Sequence, residues 1–207
     1  MGRNVVLWSG GADSTSLLDH YAGVSCRDYP VVALVVEHSK ISPIFARAQQ
    51  KARAEYAKLA KRRGFHLLIQ TVKTSGNFEF GLNDSCRYYV PQPIVWLNAI
   101  SQVVKDGDTV FMGYIGGDLF WHFKDRFEAV FKAFCVLKGI DASLEYPLEF
   151  QRKSDILAKL KRQKIPARCW FSCERTTDGK PCGICSKCQE VNDARDLMKK
   201  RKKGEVE

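Results

Sequence analysis

Apolar and polar residues alternate in blocks along this chain, and the blocks predict strands and helices in turn. Val5-Val6-Leu7-Trp8 is a short apolar run that reads as a strand, and Ser9-Gly10-Gly11-Ala12-Asp13-Ser14 is punctuated like a turn. Leu17, Leu18 and Tyr21 then recur at helical spacing, so the glycines fall between a strand and a helix. Val31-Val32-Ala33-Leu34-Val35-Val36 is apolar throughout, which suits a parallel strand covered by helices on both faces. Ala46 to Arg63 has the Ala, Lys, Arg and Glu content of a helix, with Gly64 as its stop.

Phe65-His66-Leu67-Leu68-Ile69 predicts a third strand, and the polar stretch from Lys73 to Arg87 a loop long enough to be functional. Ile94 to Val104 predicts a helix, Thr109 to Tyr114 a fourth strand and Phe127 to Leu137 a further helix. Ser154-Asp155 opens a short helix through Leu160, a cysteine-rich segment follows, and the Lys199 to Lys203 run reads as a solvated, mobile tail. Strands alternating with helices predict an α/β fold, an open and mostly parallel sheet with helices on both faces. The chain divides into that α/β domain, 1–165, and a cysteine-bearing segment with its basic tail, 166–207.

With 207 residues, 45% of them apolar and 27% charged, the chain can bury a hydrophobic core and is not of disordered composition. Its longest apolar runs span six residues, as in Val31 to Val36, against roughly 18 for a membrane-spanning helix. Four apolar residues after Asn4 fall short of the roughly 7–15-residue apolar region of a secretory signal, so a reducing cytoplasm is expected. The net charge of +10 predicts an anionic partner: a nucleotide, a nucleic acid or an acidic surface. The Lys199 to Lys203 run lacks the interleaved aromatics of a single-strand-binding surface.

Ser9 to Ser14, placed where a strand feeds a helix, offers backbone N–H groups and a positive helix end to an anion. Gly10 and Gly11 let the main chain approach phosphate oxygens, and the Ser9 and Ser14 hydroxyls can donate to them. Asp13 repels phosphate directly but can help hold Mg2+ or order the loop. No lysine follows the glycines, which excludes the P-loop of kinases and GTPases. The whole string resembles the SGGxDS signature of the PP-loop ATP pyrophosphatases. That resemblance implies a Rossmann-like fold, a grip on ATP through Ser9, Gly10, Gly11, Asp13 and Ser14, and transfer of AMP to a carbonyl oxygen. Asp13 and Ser14 are its candidate catalytic residues.

Five of the eight cysteines fall between Cys169 and Cys188. Cys182, Cys185 and Cys188 stand at two-residue intervals with Cys173 upstream, a four-thiolate set that suits a closed Zn2+ site. An iron–sulfur cluster is the chemical rival, and Cys169 is an alternative to Cys173. With no reductive chemistry otherwise implied, zinc is preferred.

Loop and cysteines together, with Trp170-Phe171-Ser172-Cys173 and Cys182-Gly183-x-Cys185-x-x-Cys188, resemble the 7-cyano-7-deazaguanine synthase family. Tyr89-Val90-Pro91, Gly113 to Asp118, Tyr146-Pro147-Leu148 and Lys153-Ser154-Asp155-Ile156 are similar to further landmarks of it. The resemblance implies ATP-dependent conversion of 7-carboxy-7-deazaguanine to the nitrile through an adenylated carboxylate, with ammonia as nitrogen donor and Asp118 facing the deazaguanine. Arg126 and Lys124 are candidates to meet a substrate carboxylate or an ATP phosphate, or serve only to solubilise a helix start. A homodimer stays open as a partner.

Departures from the family pattern gather where substrate binds. Gln92-Pro93-Ile94 stands where an arginine–asparagine pair is usual, Glu37-His38-Ser39-Lys40 keeps one acid, and Tyr114-Ile115-Gly116-Gly117 precedes Asp118. Two alternatives follow: a related enzyme that joins an adenylated deazaguanine acid to another amine, and a PP-loop protein that modifies tRNA. Phe120, Trp121 and Phe123 are candidates to stack a planar heterocycle or are divided between core and surface. His38 and His122 read as structural or surface residues rather than catalytic ones.

Overall fold

A computed structural model describes residues 2–38, 41–74 and 92–203. Five parallel strands form one sheet: β1 (Asn4–Leu7), β2 (Val31–His38), β3 (Leu67–Thr74), β4 (Thr109–Phe111) and β5 (Ser143–Glu145), in the spatial order β3-β2-β1-β4-β5. Among the described residues six α-helices accompany them: α1 (Ala12–Ala22), α2 (Pro43–Arg62), α3 (Gln92–Val103), α4 (Lys124–Lys138), and, after β5, α5 (Lys153–Arg162) and α6 (Ser186–Lys203). This is the open α/β sheet that the alternating pattern predicts.

Period-two alternation divides the two central strands between two cores. Val6 of β1 and Val31, Ala33 and Val35 of β2 join Leu17 and Leu18 of α1, Tyr56 of α2 and Ile156 and Leu160 of α5. Val5 and Leu7, with Val32, Leu34 and Val36, join Val95, Ala99 and Ile100 of α3 and Phe127 and Phe131 of α4 on the opposite face. Val5 sits opposite Val32 on one side and Val110 on the other, so β1 is paired along both edges.

Strand order reverses at β1: β2 and β3 extend the sheet one way, β4 and β5 the other. A crevice opens beyond the carboxyl ends of strands at such a reversal, and ligands of open α/β sheets bind there. The turn after β1 and the segment after β4 flank it.

Three features depart from the sequence expectations. The third strand is Leu67–Thr74, not Phe65 to Ile69; it lies at the sheet edge, where Leu68 and Ile69 are half-exposed and polar residues cost nothing. The Lys73 to Arg87 stretch therefore begins as strand, and its residues 75–87 lie outside the described residues, as do Tyr89 to Pro91 and Ser39-Lys40. The Lys199 to Lys203 run is no mobile tail but the end of α6: Lys199 pairs with Asp196 at 2.8 Å and Arg201 lies 3.6 Å from Asp155 on α5. Val191 and Ala194 at three-residue spacing bury that helix against α5 in the main core.

β5 escapes the sequence reading because Ser143-Leu144-Glu145 has one apolar residue and no period to detect. It forms because the open edge of β4 offers partners: Ser143 N–H donates to Asp108 O at 3.0 Å and Met112 N–H to Glu145 O at 3.0 Å. No helix among the described residues is long and apolar enough to cross a membrane.

Candidate active site and metal centre

Gly10 takes φ +90°, a left-handed turn that side chains disfavour, and a Cβ there would lie 3.0 Å from Arg53 Cγ. The chain thereby swings from β1 into α1 with Ser9 folded back over the helix start. Ser9 Oγ accepts from Gly11 N–H at 3.2 Å and lies 3.0 Å from Ser14 Oγ. Arg53 of α2 pins the turn from behind, donating to Ser9 O at 2.9 Å. A Cβ at Gly11 would meet Ser9 Oγ at 3.3 Å and Ser172 Oγ at 3.8 Å, so a bare backbone keeps the hydroxyls convergent. Ser9, Gly11, Asp13 and Ser14 line a cavity of about 200 Å³ at the crevice; Gly10 supports it without lining it.

β4 delivers Gly113 to the other side of this turn. A Cβ at Gly113 would stand 3.2 Å from both the Ser14 N and Cα, a close approach that only glycine allows without displacing the helix start. Asp118 follows, one carboxylate oxygen accepting from Ile115 N–H at 2.8 Å and the other facing Lys187 Nζ at 3.3 Å, and it lines the cavity. Arg126 does not: it is exposed on the first turn of α4 and absent from the lining. Its helix faces the sheet through Phe127 and Phe131, which turns Arg126 outward.

Two lysines that sequence reasoning passed over complete the site. Lys153 is buried, and its Nζ lies 2.5 Å from Asp13 Oδ2 and 3.8 Å from Glu190 Oε2. It is the first residue of α5, the positive end of a helix, where a cation is electrostatically misplaced. That mismatch is the sequence signal that marks it. Lys187, between Cys185 and Cys188, reaches Asp118 and also Glu190 at 3.1 Å. Burial alone would lower its pKa, but Asp118, Glu190 and Glu174 outweigh burial and hold it above the ordinary lysine value. Burial pushes the Asp13 carboxyl up; Lys153 and Lys187 oppose that and Asp118 adds to it. Asp13 Oδ1 is buried with no hydrogen-bond partner among the described residues.

Aromatic lining comes from elsewhere than expected. Trp96 of α3, Phe45 of α2, Phe171 and Tyr114 wall the cavity. Phe120 is instead in the core, stacked on Tyr114 with ring centroids 3.9 Å apart, and Trp121 donates its indole N–H to Ile115 O at 2.7 Å. Neither Phe120, Trp121 nor Phe123 lines the cavity. His38 is buried at the end of β2 and His122 is exposed; neither lines it.

The Cys173, Cys182, Cys185 and Cys188 sulfurs all lie within 4.8 Å of one another. Gly183 at φ +78° turns the chain so that amides face sulfur: Cys182 N–H points at Cys173 Sγ at 3.3 Å and Cys185 N–H at Cys182 Sγ at 3.4 Å. The Ile184 and Cys185 amides draw the Cys182 thiol down to about 6, whereas burial pushes Cys173 up and Cys188 up to about 12. Buried thiols crowded together gain from a central cation that takes them as thiolates. A metal can therefore be held here. Cys169 is not the alternative ligand: it is buried in the main core with Ile165 and Val191, outside the four-sulfur group.

No family model matches this chain, and no curated protein matches it. It is similar in structure to the U34-tRNA thiolase NcsA from Methanococcus maripaludis with its [4Fe-4S] cluster, at 14% sequence identity and a TM-score of 0.51. The match covers 98% of this chain and 68% of that one. At that identity the likeness establishes the fold alone.

Proposed function

We propose that this chain is an ATP-dependent enzyme that adenylates a carboxylate on a planar heterocycle, 7-carboxy-7-deazaguanine being the substrate that the sequence resemblance selects. The observation that carries the reading is the convergence, on one cavity, of a hydroxyl-rich helix start with Asp13 and Lys153 and of Asp118 with an aromatic wall. A carboxylate oxygen is a poor leaving group until it carries AMP. In the proposed reaction it attacks the α-phosphorus of ATP, and the bond to pyrophosphate breaks. Ammonia then adds to the acyl carbon and AMP departs, leaving the amide; a second adenylation of the amide oxygen allows its loss as AMP and gives the nitrile.

The chain's own groups match these demands. Ser9, Ser14 and the helix start bind the departing pyrophosphate, and Lys153 offsets the charge that grows on it. Asp13 holds Lys153 with one oxygen, and its unpartnered Oδ1 is the group that would ligate Mg2+. Bound magnesium would screen the phosphate charges. Trp96, Phe45 and Tyr114 supply an apolar aromatic lining for a flat ring, and Asp118 can accept from ring N–H groups. For the cysteines we assign a single Zn2+: four sulfurs around one zinc at about 2.3 Å stand about 3.8 Å apart, close to the 3.9 Å between Cys173 and Cys185 Sγ. A four-iron cluster binds each cysteine to a different iron and would spread the sulfurs farther.

A tRNA-modifying enzyme is the second reading, favoured by the likeness to a tRNA thiolase and by the net charge of +10. One experiment separates them. Zinc-loaded protein with ATP, magnesium, ammonium and 7-carboxy-7-deazaguanine is expected to release AMP and pyrophosphate and yield amide or nitrile, read by mass spectrometry. AMP release that requires tRNA instead would overturn the first reading in favour of the second.

A further inference from the structure

The chain leaves the short turn Ala167–Cys169 with Trp170 in extended conformation. Phe171 and Cys173 are both buried in the cluster of Cys185 and Cys188. Ser172, between them, faces the opposite way, onto the start of α1. There its Oγ accepts from Ala12 N–H at 3.2 Å, across 160 positions of sequence. Phe171 N–H donates to Gly10 O at 2.8 Å, so the same segment grips the turn at two adjacent points. Gly11, the residue before the helix, supplies no side-chain cap of its own.

A serine that accepts one hydrogen bond keeps its O–H free to donate. Ser172 lines the same cavity as Ser9 and Ser14, and its oxygen would sit 3.8 Å from a Cβ at Gly11, the point on which Ser9 Oγ also closes. Three hydroxyls thus surround one helix N-terminus. Two come from the turn and the third from the residue next to a metal ligand.

Resting on the adenylation reading above, we propose that Ser172 is a third hydroxyl of the phosphate site, held in register by the metal on Cys173, so that metal occupancy sets the affinity for the phosphate groups of ATP. Removing the hydroxyl takes away a phosphate donor and uncaps Ala12 N–H. Removing the metal frees the segment that carries it.

The test measures calorimetric binding of three probes to the full, zinc-loaded chain with magnesium: an α,β-methylene ATP analogue, inorganic pyrophosphate and adenosine. Ser172→Ala is expected to weaken the analogue and pyrophosphate about tenfold, the loss of one charge-assisted bond, and to lower the melting temperature slightly by uncapping Ala12 N–H, while adenosine affinity and zinc content stay unchanged. Ser172→Thr is expected to restore the phosphate affinity. Chelation of the zinc should remove the same phosphate-dependent increment. Unchanged pyrophosphate affinity in Ser172→Ala, or equal losses for adenosine and pyrophosphate, would overturn the proposal while leaving the adenylation reading standing. Failure of the unaltered protein to bind the ATP analogue would bring down that reading and this proposal with it.

Discussion

Lys153 Nζ lies 2.5 Å from Asp13 Oδ2 although 140 positions of sequence separate the two residues. The pair joins the start of α5 to the first turn of α1 and puts a buried cation in the lining of the cavity. Neither residue is stable in its place alone. Lys153 opposes the dipole of its own helix, and burial raises the Asp13 carboxyl, so each charge compensates the other.

Lys153→Met should therefore cost some stability, by leaving Asp13 buried without its partner, and lose chemistry. We expect AMP release to fall by roughly a hundredfold or more, the cost of deleting one preorganised group that meets developing charge. Asp13→Ala has a second consequence, because among the described residues it leaves the Lys153 ammonium with the Glu190 carboxylate alone, 3.8 Å away. Its unfolding free energy at pH 7 should drop by about 3 kcal/mol in urea titration, more than Lys153→Met costs.

Gly113→Ala probes how tightly β4 abuts the turn. The new methyl would meet the Ser14 N and Cα at 3.2 Å, so the helix start must shift by a few tenths of an ångström. Nucleotide affinity is expected to fall about tenfold with little change in melting temperature. Gly117→Ala is the contrast: no atom lies within 4 Å of its Cβ, but φ +91° strains any side chain. It should cost about 1 kcal/mol of stability and leave affinity intact.

Metal content discriminates between the cysteines. Cys173→Ser and Cys185→Ser should lower bound zinc from one per chain to well below that by elemental analysis, and with it the melting temperature. Cys169→Ser should keep the metal, since that thiol is packed in the main core. An intense visible absorbance band in the purified protein, together with bound iron, would replace the zinc assignment with an iron–sulfur one.

Asp108 predicts a pH dependence. Burial pushes its carboxyl up, but hydrogen bonds from Arg3 and from the Lys105 N–H outweigh burial and hold it below the ordinary 3.8. A carboxyl whose pKa is lowered by folding stabilises the fold above the unfolded-state value and loses that contribution as pH falls through the folded one. Asp108→Asn should thus cost about 2–3 kcal/mol at pH 7, and the gap to the unaltered protein should narrow below about pH 4 in urea titrations.

Much of the architecture was written locally. β1, β2, β4 and the glycine turn were legible because a buried parallel strand must be apolar along its length and a phosphate-type turn needs glycine at left-handed backbone, as Gly10 shows, whereas the half-exposed edge strand β3 was legible only in its apolar first residues. Cys182, Cys185 and Cys188 were legible because a metal-binding turn fixes spacing within a few residues. β5 and the packing of α6 were not, since Ser143-Leu144-Glu145 carries no period and the charged α6 buries only a narrow face.

By itself, then, the sequence determined the order of elements and the two chemical motifs, because periodicity, turn geometry and ligand spacing act over a few residues. Only the tertiary structure decided that Lys153, Ser172 and Lys187 belong with Asp13 and Asp118, and that Arg126, Cys169 and Phe120 stand apart. Contacts across 69 to 160 positions depend on how the sheet reverses at β1 and how the cysteine-bearing segment folds back on α1. No local pattern encodes such closure; it follows from the burial of two cores on opposite faces of one sheet.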